Sequence, residues 1–463
     1  MGKWDVIIVG GGTAGAVAGI AAARLGVKTL VLEQNGFLGG TQTGALAVPM
    51  MGFSTSNEVL IRGLNEEIIG RCEAFRPGES GIWFDPETVK FVLEQMALEA
   101  GAELLYHITV TDPILAKSGT EEIPEKARNS GISRKSAPSR FSPTTVIGVH
   151  TWSKSGRRPY FAKQIVDCSG DADVAFRAGV PCESGRESDG LNQPASLRFI
   201  LGNVDLEALA DFLSELDGRG HTPPKVEFGF SRGMGTAPHL EQLVDQAEAD
   251  GVLSPAEGGY VQAFGIPGRP GEMAFNCPRI THVNGARVED LTKSQIVGRR
   301  RILRVIEFCR RYMQGFESAY LAWVAPMVGI RETRRIVGEY VLTADDVLGA
   351  RKFDDRIAKN RYPIDIHSPA GEGTVLRSLP PDAYHGIPYR CLVPLGVDNL
   401  LVAGRCISAT FEPQGSIRIQ ANCRAFGEAA GTAAAMCAAR DITPRDLPAD
   451  ELLGVLRVNG ANV

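Results

Sequence analysis

The sequence predicts a mixed α/β fold in which two separated parts of the chain build one domain with a largely parallel sheet. Three observations lead to this prediction. An apolar strand, a glycine-rich turn and a small-residue helix follow one another over 5–25. Strands of alternating polarity over 103–167 predict an antiparallel meander. The first pattern then returns near the end of the 463 residues, with an apolar strand at 399–403 and a helix predicted over 417–439.

The N-terminal turn carries the spacing Gly-x-Gly-x-x-Gly at Gly10, Gly12 and Gly15. Gly10 allows a tight exit from the strand, Gly12 lets a pyrophosphate approach the backbone, and Gly15 lets the helix lie close to the strand. The helix that follows, predicted over the alanine-rich stretch 16–25, offers unpaired N–H groups and a positive dipole end to phosphates, and Thr13 and Ala14 before it join the predicted binding set. A glycine-rich turn alone is a weak signal, because such turns also occur as plain loops.

Glu33 completes a strand–turn–helix–strand unit. It follows a second apolar strand and stands roughly 20 residues after the glycines, where a carboxylate can accept hydrogen bonds from ribose hydroxyls. Strand, helix and acid in this order predict a dinucleotide-binding unit. The turn that follows is either a plain turn or backbone close to a ligand. We include in the predicted binding set Gln34, Gly39, Gly40 and Thr41.

Composition and charge narrow the classes of protein that fit. The composition is ordinary for a globular protein, with a hydrophobic content of 44% and a charged content of 22%. The net charge of −5 gives no indication of nucleic-acid binding. The nine cysteines are scattered without a Cys-x-x-Cys pair, which favours reduced thiols and leaves no cluster for iron–sulfur or zinc. No apolar stretch is long enough to span a membrane, and the first strand is entered by Trp4, too early for a signal peptide. We therefore expect a cytoplasmic protein without a metal site.

Four blocks of the sequence resemble the FAD-dependent oxidoreductases of the glutathione-reductase-like superfamily, and more narrowly the family called FAD-dependent oxidoreductase. Together they span nearly the whole chain, and the third and fourth are narrower signals than the first. The blocks are the N-terminal fingerprint with Glu33 and Gly39–Gly40, then Val166–Asp171, then Gly329–Ile336 with Gly338, Tyr340, Leu342 and Thr343, and finally Leu401–Arg405 through Gly427–Gly431.

The resemblance implies a Rossmann-like FAD-binding domain that is split in sequence, carries an antiparallel β-meander and encloses an inserted α+β substrate domain. We expect the FAD-binding domain to comprise 1–184 and 396–463, with a polar surface insertion at about 117–142, and the substrate domain to comprise 185–395. The implied cofactor is FAD.

The resemblance also implies positions along the cofactor. Val110 would touch the adenine through its backbone, and Gly404 and Arg405 would lie along the ribityl and phosphate stretch. The second block adds Gly170 and Asp171 to the expected binding set. A helix N-terminus would stabilise negative charge at the flavin pyrimidine edge. The residues expected there are Gly415, Ser416 and Ile417.

The chain lacks a second Gly-x-Gly-x-x-Gly unit, which argues against a separate NAD(P)H site. Electrons would then pass between a small-molecule substrate and an unidentified acceptor, such as oxygen, a quinone, a carrier or a protein. Three functions stay open: a dehydrogenase or oxidase that transfers a hydride between flavin N5 and a small polar, anionic molecule at CH–OH or CH–CH, an electron-transfer subunit of a larger complex, and a flavoprotein that serves as a binding or modification module. A homo-oligomer also stays open.

Hydride transfer at a flavin needs groups that hold the substrate and move a proton. Arg331 and Arg334 lie on opposite faces of a strand-like segment, and arginine binds carboxylate or phosphate through two parallel hydrogen bonds. Arg418 follows the predicted helix start, and His367 lies in a loop-rich stretch late in the inserted domain. These four are the catalytic candidates. The alternatives are structural ion pairs for the arginines and a packed or surface position for His367.

Overall fold

The computed structural model describes residues 4–75, 83–116, 144–217, 226–232, 238–371 and 373–463. The polar insertion predicted at about 117–142 lies outside the described residues. The described elements form a mixed α/β fold with a parallel-rich sheet, which confirms the predicted fold class.

The first part of the chain builds the glycine-rich unit, two further helices and the meander. In chain order its elements are β1 (Trp4–Val9), α1 (Thr13–Arg24), β2 (Thr29–Leu32), α2 (Leu64–Phe75), α3 (Pro86–Glu99), β3 (Glu103–Leu105), β4 (Thr109–Leu115), β5 (Thr144–Ser153), β6 (Gly156–Asp167) and α4 (Asp173–Arg177). Asp85 caps α3, because its carboxylate accepts a hydrogen bond from Glu87 N at 3.0 Å.

Most of these strands share one sheet with β1 at its centre. β1 runs parallel to β2 on one side and to the second half of β6 on the other. The first half of β6 pairs antiparallel with β5, and β5 with β4, so the predicted meander is present. The stretch 103–110 belongs to two strands. β3 pairs with β2, and His107 then turns the chain with a φ of 56° before β4 begins.

The middle of the chain builds a second sheet. In chain order its elements are β7 (Cys182–Ser184), β8 (Ala195–Ser196), β9 (Phe199–Gly202), α5 (Leu206–Asp217), β10 (Glu227–Ser231), α6 (Pro238–Ala249), α7 (Pro255–Gly258), β11 (Tyr260–Gly265), β12 (Met273–Phe275), β13 (Arg279–Ile280), α8 (Val288–Tyr312) and β14 (Tyr320–Val324). The strand order of this antiparallel sheet is β10–β11–β12–β9–β14. One face packs against α5, α6 and α8 in a hydrophobic core of its own.

The last part of the chain returns to the first sheet. In chain order its elements are β15 (Arg334–Ile336), α9 (Ala344–Leu348), β16 (Arg356–Asn360), β17 (Ile364–His367), β18 (Thr374–Arg377), β19 (His385–Pro388), β20 (Val397–Asp398), β21 (Leu400–Val402), α10 (Phe411–Ile417), α11 (Gln420–Arg440) and α12 (Ala449–Val458). β21 extends the first sheet parallel to β6, and β20 pairs with β5.

The hydrophobic core of the inserted sheet covers less of the chain than the predicted substrate domain 185–395. The core of the inserted sheet is built mainly from residues 195–325. From Leu342 onward, buried side chains belong to the core of the N-terminal unit, because β16 and β17 pack against α11 and α10. By packing, the chain returns to the first core well before the predicted boundary at 395, while the boundary at 184 stays a prediction.

Helices α1 and α11 hold the two ends of the chain together. A Cβ atom on Gly427 would lie 2.1 Å from Ala14 O, and one on Gly431 would lie 2.2 Å from Ala18 O. Two helix backbones approach this closely only where a residue has no side chain. The C-terminal part therefore closes directly over the helix that follows the glycine-rich turn.

Glu428 lies on α11 beside this contact and is buried beneath the loop before α2. The residue is 4% exposed, and its Oε2 accepts a hydrogen bond from Leu64 N at 3.1 Å. Burial raises the pKa of Glu428 to about 7, which outweighs the lowering by that hydrogen bond and by the charge of Arg24. The folded protein therefore favours the protonated carboxyl, and ionisation of Glu428 is destabilising.

We expect Glu428→Gln to raise the free energy of unfolding at about pH 8 by up to about 3 kcal/mol. The folded-state pKa lies above the ordinary value of 4.5. Glu428 therefore does not reduce the free energy of unfolding at acid pH. It reduces that free energy progressively as the pH rises from about 4.5 to about 7. The gain in the variant should be small near pH 5 and constant above about pH 7. Urea unfolding at the two pH values measures it.

Glu73→Gln is the matched control, because Glu73 is exposed on the neighbouring helix α2. This exposed substitution should change the free energy of unfolding by less than about 0.5 kcal/mol at either pH. An equal gain for Glu428→Gln at both pH values would contradict the titration of a buried carboxyl.

Candidate active site

A cleft of about 1130 Å³ is bounded by the turn after β1 on one side and by the inserted sheet on the other. This volume exceeds the roughly 300–1,000 Å³ of typical small-molecule sites, so a cofactor and a substrate can share it. The predicted residues that line it are Gly10, Gly12, Thr13, Ala14, Glu33, Gln34, Gly40, Thr41, Val110, Gly170, Asp171, Arg331, His367, Gly404, Arg405 and Arg418. The structure thus brings together most of the predicted set, and the role of each member stays a prediction.

The glycine-rich turn leaves its backbone open to this cleft. Gly10 has a φ of +89°, and a Cβ atom there would meet Cys168 O at 2.6 Å. A Cβ atom on Gly15 would lie 1.7 Å from Gly10 O, so Gly15 lies behind the cleft and sets the contact between helix and strand. For Gly12 the nearest atom to such a Cβ is Gly40 Cα at 3.9 Å, and the space in front of it is part of the cleft.

Gly39 supports the turn from behind and does not line the cleft. Its φ is 101°, a region that favours glycine. Its N–H donates a hydrogen bond to Gly11 O at 2.9 Å, and its carbonyl accepts one from the Thr13 hydroxyl at 3.0 Å. The two glycine-containing turns are therefore fixed to each other.

Glu33 is buried at the end of β2. Its Oε2 accepts a hydrogen bond from Gly11 N at 2.7 Å, and its Oε1 accepts two from Asn35, from N and Nδ2, at 2.7 Å each. Burial raises the pKa of Glu33, and these N–H donors offset only part of the rise. One lone pair of Oε2 remains for a further donor, as binding of a ribose hydroxyl would require.

Arg405 and Asp171 form an ion pair in the cleft wall. Arg405 Nη2 lies 2.8 Å from Asp171 Oδ1, which also accepts a hydrogen bond from the Thr333 hydroxyl. Burial alone would lower the pKa of Arg405, but the Asp171 carboxylate outweighs it and raises the pKa. Arg405 Nη1 is buried and has no hydrogen-bond partner among the described residues. It is therefore a donor that a bound ligand could satisfy.

Four arginines from separate segments come together at the cleft, three in its lining and Arg279 bonded to the lining residue His367. We call them the arginine cluster: Arg198, Arg279, Arg331 and Arg418. Arg331 is buried, and its Nη1 donates to Pro194 O at 2.7 Å and to Ser196 Oγ at 2.9 Å. Burial lowers the pKa of Arg331 well below its usual range, and the charges of the three other arginines lower it further. The cluster is therefore a region of concentrated positive charge.

Asp365 is the carboxylate that faces this cluster. Its Oδ2 lies 3.4 Å from Arg418 Nη2 and 3.5 Å from His367 Nε2, and it accepts a hydrogen bond from the Tyr362 hydroxyl at 3.1 Å. Burial alone would raise the pKa of Asp365. The neighbouring His367, Arg418 and Arg331 outweigh burial and hold the pKa well below its usual range. Asp365 is thus ionised at neutral pH.

His367 is held by hydrogen bonds at both ring nitrogens. Its Nδ1 bonds to Arg279 Nη2, and its Nε2 faces Asp365. Burial lowers the pKa of His367 well below its usual range, and the Arg331 charge lowers it further, so the ring is neutral. Since arginine only donates, Nδ1 accepts and the proton resides on Nε2. The Arg279 guanidinium also stacks 3.7 Å above the centre of the Tyr260 ring.

Several residues of this site were missed in the sequence. They are Arg198, Arg279, Tyr260, Tyr362 and Asp365. Asp365 could have been found, because it stands two residues before His367 and alternation along a strand places both on the same face of β17. The two arginines carry no local signal, since only the folding of the chain brings Arg198 to the cleft and Arg279 to His367.

The predicted helix start at Ile417 is wrong. Gly415, Ser416 and Ile417 end the short helix α10, and the next helix, α11, begins at Gln420. Gly415 packs against β17, where a Cβ atom would meet Asp365 O at 2.8 Å. These three residues do not line the cleft. The helix N-terminus that does is that of α11, through Ile419 and Gln420.

Arg334 lies outside the cleft lining, in contrast to the other three catalytic candidates. Its Nη1 lies 3.0 Å from Asp173 Oδ1 and donates to Asp171 O at 2.8 Å, and its guanidinium stacks over Phe176. This is the structural ion pair that the sequence left as the alternative. β15 begins only at Arg334, so Arg331 lies in the irregular segment before the strand.

The cleft is bordered by a parallel-rich sheet, by a glycine-rich turn and by an acidic residue at the end of a strand. These features define an enzyme that binds a dinucleotide cofactor. The chain belongs to the FAD dependent oxidoreductase family, whose model matches residues 5–456. The protein is therefore an oxidoreductase, and the predicted cofactor, FAD, is confirmed.

Similarity to individual proteins is more limited. Thiamine thiazole synthase of Methanococcus aeolicus is 34% identical over 179 residues, which is 37% of this chain and 57% of that protein. The match to dihydrolipoyl dehydrogenase of Trypanosoma brucei brucei has 50% identity over 46 residues, 10% of each chain. A geranylgeranyl bacteriochlorophyll reductase-like structure from Thermoplasma acidophilum aligns over 98% of this chain and 83% of its own, with 15% identity and a TM-score of 0.46. The chain thus spans little more than half the length of the thiazole synthase.

Two further observations concern the described residues only. None of their helices is long and apolar enough to cross a membrane. They also contain no group of three or more His, Cys, Asp or Glu side chains that could hold a metal ion.

Proposed function

We propose that this protein transfers a hydride between N5 of FAD and a small anionic substrate that reacts at a CH–OH or CH–CH group. The observation that carries the proposal is the arginine cluster in the wall of the same cleft that the glycine-rich turn borders. Membership of the wider glutathione-reductase-like superfamily is part of the proposal. It is supported by the split parallel sheet and by its closure through α11.

The residues of the cleft fit FAD. Gly12 offers open space beside its backbone, as a pyrophosphate needs. The unpartnered Arg405 Nη1 can donate to a cofactor oxygen, and Glu33 Oε2 can accept from a ribose hydroxyl. We assign cofactor binding to these and the other predicted lining residues, and we add Ile419 and Gln420 at the start of α11.

The arginine cluster would hold the anionic group of the substrate. Arg331 and Arg418 line the cleft, and each is fixed to the protein through one terminal nitrogen. Their remaining N–H groups can bind a carboxylate or phosphate, and charge-assisted hydrogen bonds of this kind are the stronger ones. Arg279 would contribute charge and would position His367.

Binding of an anion would also prepare His367 and Asp365 for proton transfer. The Arg331 charge lowers the pKa of both side chains. A substrate anion on Arg331 would reduce that effect, so both groups would become better bases when the site is filled. Tyr362 keeps its proton, because burial raises the pKa of its hydroxyl, and it can donate to Asp365 or to substrate. We propose that Asp365 and Tyr362 take from the substrate, or give to it in the reverse direction, the proton that accompanies the hydride.

An anaerobic screen of the FAD-loaded protein tests this proposal. The compounds tested for bleaching of the flavin absorbance are hydroxy acids, sugar acids and saturated acids, and each is compared with the carboxamide of the same skeleton. We expect bleaching by one class of acids and none by the matched amides, since an amide leaves the arginines without a counter-charge. Equal bleaching by an amide, or no bleaching by any anionic compound, would overturn the proposal.

A further inference from the structure

The arginine cluster has far more positive than negative charge around it. Among the described residues, Asp365 is the carboxylate paired with the cluster, through Arg418 at 3.4 Å. Arg198, Arg279 and Arg331 have no carboxylate of the described chain within 4.0 Å. Guanidinium groups stay protonated in proteins. Four charges against one leave an excess of three positive charges in a largely buried site.

The cluster also has more hydrogen-bond donors than its protein partners use. Arg198 donates through Nε to Asn276 Oδ1 at 2.7 Å, and neither of its terminal nitrogens bonds to a described residue. Arg331 uses Nη1 and leaves Nη2, and Arg418 uses Nη2 and leaves Nη1. All three side chains line the cleft. Free donors therefore remain on three arginines, which come from the segments before β9, β15 and α11.

We propose that the substrate carries two negative charges, held by Arg198 and by the pair Arg331 and Arg418. The inference rests on the proposed function and names the substrate class. A monoanion would leave two uncompensated positive charges in the site, and a buried charge without a partner is costly. The two charges can come from two carboxylates on a short chain or from one phosphate monoester.

The residues around Arg198 support a separate anchor there. The Asn276 amide that accepts from Arg198 donates to Gln262 Oε1 at 2.9 Å and to the Tyr260 hydroxyl at 3.0 Å. This network lies on the cleft face of the inserted sheet and fixes the guanidinium. On the same face, the Ser231 hydroxyl is buried, lines the cleft and has no hydrogen-bond partner among the described residues.

The phosphates of FAD do not account for this charge excess. The charged groups that act most strongly on Arg331 are Arg418, Arg279 and Arg198. None of them belongs to the glycine-rich unit, which offers its own backbone donors to a pyrophosphate. The cation nearest that unit in the predicted FAD set, Arg405, is already paired with Asp171.

Calorimetric titration of the FAD-loaded protein with succinate, butyrate and inorganic phosphate tests the inference. Succinate and butyrate have the same number of carbon atoms and differ in the second carboxylate. We expect at least one dianion to bind roughly tenfold or more tightly than butyrate, as one added charge-assisted contact predicts. Succinate as the tighter ligand indicates two carboxylates, and phosphate as the tighter ligand indicates a phosphate monoester. Equal affinity for all three compounds, or no binding of either dianion, would overturn the inference.

Variants locate the second anchor. Arg198→Gln should reduce the preference for the dianion to near unity, and Arg198→Lys, which keeps the charge, should retain part of it. Arg440→Gln is the control, because Arg440 is half-exposed in an ion pair with Glu451 at the end of α11, and it should leave the preference unchanged. An undiminished preference in Arg198→Gln would refute the role of Arg198.

The two proposals can fail separately. If monoanions bleach the flavin as efficiently as dianions do, the inference of a dianion fails and the proposed function stands. If no anionic compound bleaches the flavin, the proposed function fails.

Discussion

Gly15→Ala is expected to abolish stable FAD binding and to destabilise the fold. The added methyl group would lie 1.7 Å from Gly10 O and 2.9 Å from Cys168 Cβ. Relief requires α1 to move away from the strands it covers, and α11 packs on its other side through Gly427. Overpacking costs typically about 1–3 kcal/mol, and contact with rigid backbone places this variant at the upper end or beyond. Thermal melting and the flavin content of the purified protein measure the effect.

Gly12→Ala separates folding from cofactor binding. At Gly12 φ is −69° and the nearest atom to a Cβ is 3.9 Å away, so the fold accepts alanine. We expect native-like melting and loss of FAD, because the methyl group would fill space that the pyrophosphate needs. Gly454→Ala, in an open position of α12, controls for alanine itself and should add about 0.5–1 kcal/mol of stability. Full flavin content in Gly15→Ala would contradict the assigned packing role.

The glycine-rich unit could be predicted because its information is local. Gly10, Gly12, Gly15 and Glu33 stand within one strand–helix–strand segment, and each has a steric or charge requirement that shows in its residue type. The structure places all of these residues around the same turn. The meander could also be predicted, because period-two alternation is a pattern within each single strand.

The arginine cluster could not be predicted, because it depends on tertiary structure. Its members come from the loop before β9, from β13, and from the segments before β15 and α11. No spacing along the chain relates them. Arg331 and Arg418 could be predicted from the sequence segments in which they lie. Arg198 and Arg279 join them only through the tertiary fold.

The break between α10 and α11 was missed for a similar reason. Neither Arg418 nor Ile419 is a helix breaker by type, yet Ile419 has an extended ψ of 154° and caps α11 without a side-chain hydrogen bond. Just before the break, Gly415 packs closely against β17. A periodic run of small residues thus predicted that a helix exists and misplaced its start, which is the part of the helix that lines the cleft.

Arg331→Gln is expected to raise KM for the anionic substrate roughly 30- to 150-fold, with FAD retained. Truncating one partner of a buried charge pair costs about 2–3 kcal/mol or more, and tenfold in affinity corresponds to about 1.4 kcal/mol. Flavin retention is expected because Arg331 bonds to Pro194 and Ser196 in the inserted part of the chain and makes no contact with the glycine-rich turn. Steady-state kinetics with the acid found in the bleaching screen gives KM and kcat separately.

Arg334→Gln is the matched control for this prediction. It removes an arginine three residues away that the structure places in an ion pair with Asp173 outside the cleft lining, so KM should stay within about twofold of the wild-type value. A large rise in KM for Arg334→Gln with none for Arg331→Gln would reverse the assignment. If Arg331 also controls the protonation of His367, Arg331→Gln should raise the pKa of His367, because the positive charge that lowers it is gone. The acid limb of the pH–rate profile would then move to higher pH, an effect that loss of packing alone does not produce.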